Sequence, residues 1–101
     1  MTASTRRPTL ASVVAVNPDV AFRELDGEMV LLDLANGTYF GLDHVGARIW
    51  TLISERATLG TVFETLAAEY EVAPGVLEHD LLALVDDLCA KGLTRVVAGS
   101  A

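Results

Sequence analysis

The chain has 101 residues, 51% of them hydrophobic, which suits one domain with one core and no more. Fourteen acidic and seven basic side chains give a formal charge of −7, and such a surface repels phosphate backbones and anionic headgroups. The single cysteine, Cys89, excludes an internal disulfide and fits a reducing cytoplasm.

Residues 1–11 are rich in Ser, Thr, Arg and Pro and read as a flexible arm. Residues 12–97 read as the folded domain, and 98–101 as a short tail. Leu10 to Val16 is too short for a signal-peptide core and meets no small-residue cleavage motif. No apolar run approaches the ~20 residues that span a bilayer. A soluble cytoplasmic protein is expected. Ser12 to Val16 reads as a short strand, ended by Asn17-Pro18-Asp19.

Two hairpins follow. Asp26-Gly27 and Asn36-Gly37 are both turn pairs that tolerate positive φ. Two-residue loops at both would set Leu25 opposite Glu28, Phe22 opposite Leu31, Leu34 opposite Tyr39 and Leu31 opposite Leu42. One face then carries Val20, Phe22, Met29, Leu31, Phe40 and Leu42, and is taken as core. The other carries Ala21, Arg23, Val30, Leu32, Leu34, Tyr39 and Gly41. It is too apolar for free solvation. Its expected cover is the 12–16 strand, the 93–97 segment or a second subunit, and the sequence does not choose among these.

Asp43 is an N-cap for a helix from about His44 to Arg56. Val45, Ile49, Leu52 and Ile53 form its buried stripe, with Trp50 flanking, and Gly46 implies close packing on the sheet. Thr58 caps a second helix with the stripe Leu59, Val62, Phe63, Leu66, Ala67 and Tyr70. Pro74 opens a third helix, cored by Leu77, Leu81, Leu84, Val85 and Leu88. Lys91 complements its C-terminal dipole, Gly92 stops it, and Leu93 to Val97 reads as a final strand. The fold class is α+β: a winged helix-turn-helix, with a three-stranded antiparallel sheet followed by three helices.

Candidates for catalysis are few. His79 and Cys89 lie ten residues apart on one helix, about 15 Å of rise, too far for a nucleophile and its base. No ligand spacing suits zinc, and no Gly-rich phosphate loop or nucleophile elbow is present. No enzyme activity, metal or cofactor is expected. DNA binding fits the architecture but not the third helix. That helix has Glu71, Glu78, Asp80, Asp86 and Asp87 on or beside it, against only His79 and Lys91.

Two features point elsewhere. The strand Thr38, Tyr39, Phe40, Gly41 and Leu42 lies at a sheet edge, with no Lys or Pro to block pairing. The third helix adds Val76, Leu82, Ala83 and Cys89 to its apolar face. A groove between them would take an extended peptide by strand addition, and Asp80, Asp86 and Asp87 at its rim would favour a basic one. The plainer reading makes Leu82 and Cys89 core and lays the N-terminal arm over the edge.

The block Tyr39-Phe40-Gly41-Leu42-Asp43-His44-Val45-Gly46-Ala47-Arg48-Ile49-Trp50 resembles the PqqD-like family. The final helix running into Gly92-Leu93 is similar to that family's pattern, and the resemblance covers about residues 20–97. It implies a recognition element for ribosomally made, modified peptides. Such an element binds the leader of a precursor in the cleft between the third strand and the third helix. It presents the leader to a leader peptidase, a cyclase or a radical-SAM enzyme. The implied peptide-binding positions are Thr38, Tyr39, Phe40, Gly41 and Leu42 on the strand, and His79, Leu82, Ala83, Asp86 and Asp87 on the helix. The pyrroloquinoline-quinone members carry a Pro-Glu pair before the first helix, where this chain reads Asn36-Gly37-Thr38-Tyr39-Phe40-Gly41. It looks more like the stand-alone adaptors of lasso-peptide clusters. Two other readings stay open: an acidic winged-helix module for transcription or dimerisation, and a homodimer through the Val30, Leu32 and Leu34 face.

Overall fold

The two tight turns and the helix caps generate the architecture in chain order. The computed structural model describes residues 8–98. The elements are β1 (Val13–Val16), β2 (Val20–Leu25), β3 (Glu28–Asp33), β4 (Thr38–Leu42), α1 (His44–Ile53), α2 (Leu59–Glu69), α3 (Pro74–Ala90) and β5 (Thr94–Ala98). β2, β3 and β4 form an antiparallel sheet in that order, and β1 and β5 pair in a second sheet. The expected α+β arrangement of a three-stranded sheet followed by three helices is the one observed.

The first hairpin has the expected register, with Leu25 opposite Glu28 and Phe22 opposite Leu31. Asp26 and Gly27 take φ of 53° and 82°, as a tight primed turn requires. The second hairpin differs. Leu32, not Leu34, faces Tyr39, and Phe40, not Leu42, faces Leu31. The loop has four residues, because the Asp33 carboxylate accepts from the Ala35 N–H at 3.0 Å and from Asn36 Nδ2 at 2.9 Å. The Gly37 N–H closes the turn on the Asp33 carbonyl at 2.7 Å. This local bonding outcompetes the two-residue turn that Asn36-Gly37 offers. The shift is by two residues, so every side chain keeps its face. Asp33 is buried, and Asp33→Ala would orphan both donors. The expected cost is about 1–3 kcal/mol, read from urea denaturation.

α1 is the central element. It packs on β3 and β4 on one side and on β1 and α2 on the other. Asp43 caps it through a 2.8 Å bond from the Gly46 N–H. Burial on two sides changes the expected stripe: Trp50 is core, not flanking, and is 2% exposed. Gly46 sits where a side chain would meet Leu42 at 3.2 Å, which is the close approach its presence implied. The helix ends at Ile53, earlier than Arg56, which itself adopts φ of 62°.

Thr58 caps α2 as expected, and Pro74 occupies the first position of α3. α3 ends in a Schellman arrangement. The Leu93 N–H donates to the Leu88 carbonyl and the Gly92 N–H to the Cys89 carbonyl, with Gly92 at φ of 74°. The chain then turns into β5, which packs on α3.

Arg48 of α1 clamps Glu69 of α2 through two bonds of 3.0 and 2.7 Å on the surface. The hydrogen bond from Arg48 lowers the Glu69 pKa from its ordinary 4.5, and the same bond raises that of Arg48. A lowered carboxylate pKa stabilises the fold above the unfolded value and loses that effect as pH falls through the folded one. Glu69→Gln is therefore expected to lower the urea midpoint slightly at neutral pH. Variant and parent should converge once acid protonates Glu69. Both partners are solvated, so the effect is small.

Two expectations about the sheet are corrected. Phe22 lies on the helix-facing side but is 61% exposed, because the helices cover β3 and β4 and stop short of β2. The opposite face is covered by neither the 12–16 nor the 93–97 segment, since these pair with each other as β1 and β5. Leu25, Val30 and Tyr39 are exposed there, as is Leu34 in the adjoining loop. Residues 1–7 of the expected N-terminal arm lie outside the described residues, as do 99–101 of the tail. Residues 8–11 are bonded in place: the Gly60 N–H donates to the Leu10 carbonyl at 2.7 Å, and Pro8 is buried.

Candidate functional site: the cleft between β4 and α3

β4 is an edge strand, and among the described residues no strand pairs with its outer side. α3 packs on α2 and β5 and leaves a cleft of about 600 Å³ between itself and β4. The first turns of α1 make the floor, with Val45, Gly46 and Ile49. They lie there because only Asp43 separates the end of the strand from the start of the helix. Phe40 and Leu42 form one wall, and Asp80, Leu81 and Leu84 of α3 the other. The cleft is thus mostly apolar, with Asp43 and Asp80 its charged lining residues and the unpaired edge of β4 along one side.

Lys91 lies against Phe40, one of the lining residues. Its Nζ lies 5.5 Å from the centre of the Phe40 ring, within reach of a cation–π interaction. It is 4.0 Å from the Asp87 carboxylate, a loose pair. The Schellman turn just described holds Lys91 at the helix end.

The expected strand positions all sit on this edge. Thr38, Phe40 and Leu42 face the helices, while Tyr39 and Gly41 face away, and Tyr39 is 72% exposed. The expected helix positions divide. Ala83 lines the cleft, and Asp87 stands beside Lys91. His79, Leu82 and Asp86 instead surround a second hollow of about 590 Å³, whose wall includes Pro8 and Glu78. Ala83 lines both.

Sequence reading did not place Asp43, Val45, Gly46, Ile49, Val72, Leu77, Leu81 or Leu84 in this cleft, and it set Asp80 only at the rim. A signal existed for the helix wall. Leu77, Asp80, Leu81 and Leu84 follow i, i+3, i+4, i+7 spacing and so share one stripe. Leu82 is two residues from Leu84, about 200° around the helix, and so belongs to another flank. Among the described residues no group of His, Cys, Asp and Glu is placed to hold a metal ion, and no helix is long and apolar enough to cross a membrane.

Comparison with known proteins bears on this cleft. TbiB1, solved in complex with the TbiA(β) leader peptide, is 38% identical. The match covers 83% of this chain and 98% of that one, with a TM-score of 0.76. A lasso peptide synthetase B1 complexed with the leader peptide is 30% identical, over 81% of this chain and 96% of that one, with a TM-score of 0.74. No curated protein sequence matches the chain. The family model of coenzyme PQQ synthesis protein D (PqqD) matches residues 28–93, which run from the start of β3 to the residue before β5. The chain therefore belongs to the PqqD family.

Proposed function

We propose that the protein is a non-catalytic adaptor that binds the leader region of a ribosomally made precursor peptide in the cleft between β4 and α3. The observation that carries this reading is the unpaired β4 edge beside an apolar cleft, in a chain 38% identical to one solved with a leader peptide. The leader adds as a further strand on β4. Its main chain bonds to the strand edge, and every second side chain enters the cleft. The acidic outer surface of α3 argues against a role on nucleic acid.

Capture of the leader raises the local concentration of the precursor beside a maturation enzyme, which is a leader peptidase, a cyclase or a radical-SAM enzyme acting in the cytoplasm. A lasso-peptide pathway is the closest fit, since both similar structures carry leader peptides and one is a lasso peptide synthetase component. No metal or cofactor enters the scheme.

The test is a fluorescence-polarisation titration. The probes are the labelled leader of the short precursor encoded beside this gene and, second, the TbiA(β) leader. Saturable binding with a dissociation constant on the order of 1 μM or lower is expected for the first. A folded protein that binds neither probe would overturn the reading.

A further inference from the structure

The three-stranded sheet has a second unpaired edge. β2 forms it, and among the described residues no strand pairs with its outer side. Ala21, Phe22, Arg23, Glu24 and Leu25 are all exposed. Phe22 is the anomaly. It lies on the helix-facing side, yet the helices stop short of it and leave the ring in solvent.

The ladder shows which backbone groups of β2 are free. The Leu34 N–H donates to the Asp19 carbonyl at 3.1 Å, one position beyond the Val20–Asp33 pair. Facing residues in an antiparallel ladder alternate between hydrogen-bonded and non-hydrogen-bonded pairs. Asp19, Ala21, Arg23 and Leu25 therefore turn their backbone groups toward β3, while Val20, Phe22 and Glu24 turn theirs outward. The Val20 N–H is taken by the Asn17 carbonyl at 3.1 Å. The free edge thus consists of the Val20 carbonyl and both backbone groups of Phe22 and Glu24.

We propose that β2 pairs antiparallel with β2 of a second copy, centred on Phe22, and joins the two sheets into one. The twofold axis of such a pair stands perpendicular to the sheet, so each side chain keeps its face and the central residue meets itself. Centring on Arg23 or Glu24 would set like charges directly opposite, which is destabilising. Centring on Ala21 would aim Phe22 at the Val20 N–H already in use and set Glu24 against Pro18, which has no N–H to give. Centring on Phe22 matches the free groups. Each Phe22 N–H donates to the opposite Phe22 carbonyl, and each Glu24 N–H to the opposite Val20 carbonyl. The two rings meet in the space the helices leave open and cover one another. Both β4 clefts stay free at the outer edges of the joined sheet.

The contact is short and each copy carries a formal charge of −7, so the dimer is weak. A dissociation constant on the order of 100 μM is expected at about 0.15 M salt, tightening as more salt screens the repulsion. Sedimentation equilibrium of the full chain from about 10 μM to about 1 mM tests this, and the mass should rise from that of one chain toward that of two. Phe22→Glu alters a residue that is already exposed and sets carboxylates opposite each other. It is expected to weaken the dimer at least about tenfold while leaving the urea midpoint nearly unchanged.

The register is read by cysteine cross-linking in a Cys89→Ala background. Ala21 lies opposite Arg23 of the second copy in this arrangement. An oxidised mixture of Ala21→Cys chains and mass-tagged Arg23→Cys chains should join the two variants to each other faster than either to itself. A chain that stays monomeric at the highest concentration, or cross-linking of either variant mainly to itself, would overturn the proposal. So would a dimer that Phe22→Glu leaves intact, and one broken by Tyr39→Glu instead would place the contact on the bare face of the sheet.

Discussion

Leu84→Asp is expected to weaken leader binding about 100-fold, or about 3 kcal/mol, in the same polarisation titration. Leu84 belongs to the helix wall and is half-buried, packed against the core. A bound strand would cover it fully. The variant therefore loses the apolar contact, worth about 1.5–3 kcal/mol for a leucine, and in the complex sets a carboxylate beneath a strand that excludes water. Some loss of stability in the free protein is also expected, so a second variant separates folding from binding. Ala83 is exposed and lines the same cleft. Ala83→Trp should leave the urea midpoint nearly unchanged while obstructing the strand's path. Tyr39→Asp and Leu82→Asp supply the contrast. Tyr39 faces away from the helices and Leu82 lies on the other flank of α3, so both are expected to bind the leader far better than Leu84→Asp does. Retained affinity in a folded Leu84→Asp variant would place the peptide elsewhere, with the hollow around Leu82 as the next candidate.

Trp50→Ala is expected to cost about 3–5 kcal/mol of stability. Domains of this kind are stable by only about 5–15 kcal/mol, so the variant would sit near the edge of folding. Trp50 is the largest fully buried side chain and belongs to α1, which joins the three-stranded sheet to β1 and α2. Removing the indole opens a cavity at the junction of both layers. Trp50 is the only tryptophan, so unfolding must be followed by far-ultraviolet circular dichroism rather than by indole fluorescence. Trp50→Phe should recover part of the loss. A small effect of Trp50→Ala would mean that α1 repacks, and the central place given to this helix would be wrong.

Trp50 also illustrates where sequence periodicity runs out. A stripe of apolar residues identifies one buried face, and Ile49, Leu52 and Ile53 were legible in that way. It cannot report that a helix has a second layer behind it. The same limit appears in the sheet. Alternation assigned each strand residue to a face, and those faces stand. It could not say how far the helices extend, and so Phe22 reads as core and is exposed. In the candidate site, the strand was legible because its edge position follows from hairpin order. The helix wall was less so. A broad apolar face holds several stripes, and only the docking angle of α3 on α2 and β5 selects the one turned toward β4.

What the sequence determined by itself is whatever depends on neighbours along the chain: the caps at Asp43 and Thr58, the helix start at Pro74, the stop at Gly92, the Asp26-Gly27 turn and the identity of the edge strand. These are short-range preferences of about 1 kcal/mol each, set by φ, capping bonds and missing donors. Tertiary structure decided the rest. It paired β1 with β5, leaving one face of the larger sheet bare, and it buried Trp50. It brought Phe40, Asp80 and Leu84 around one cleft and turned His79, Leu82 and Asp86 to another hollow. Those outcomes depend on how whole elements share one small core, a balance of buried area that no local pattern encodes.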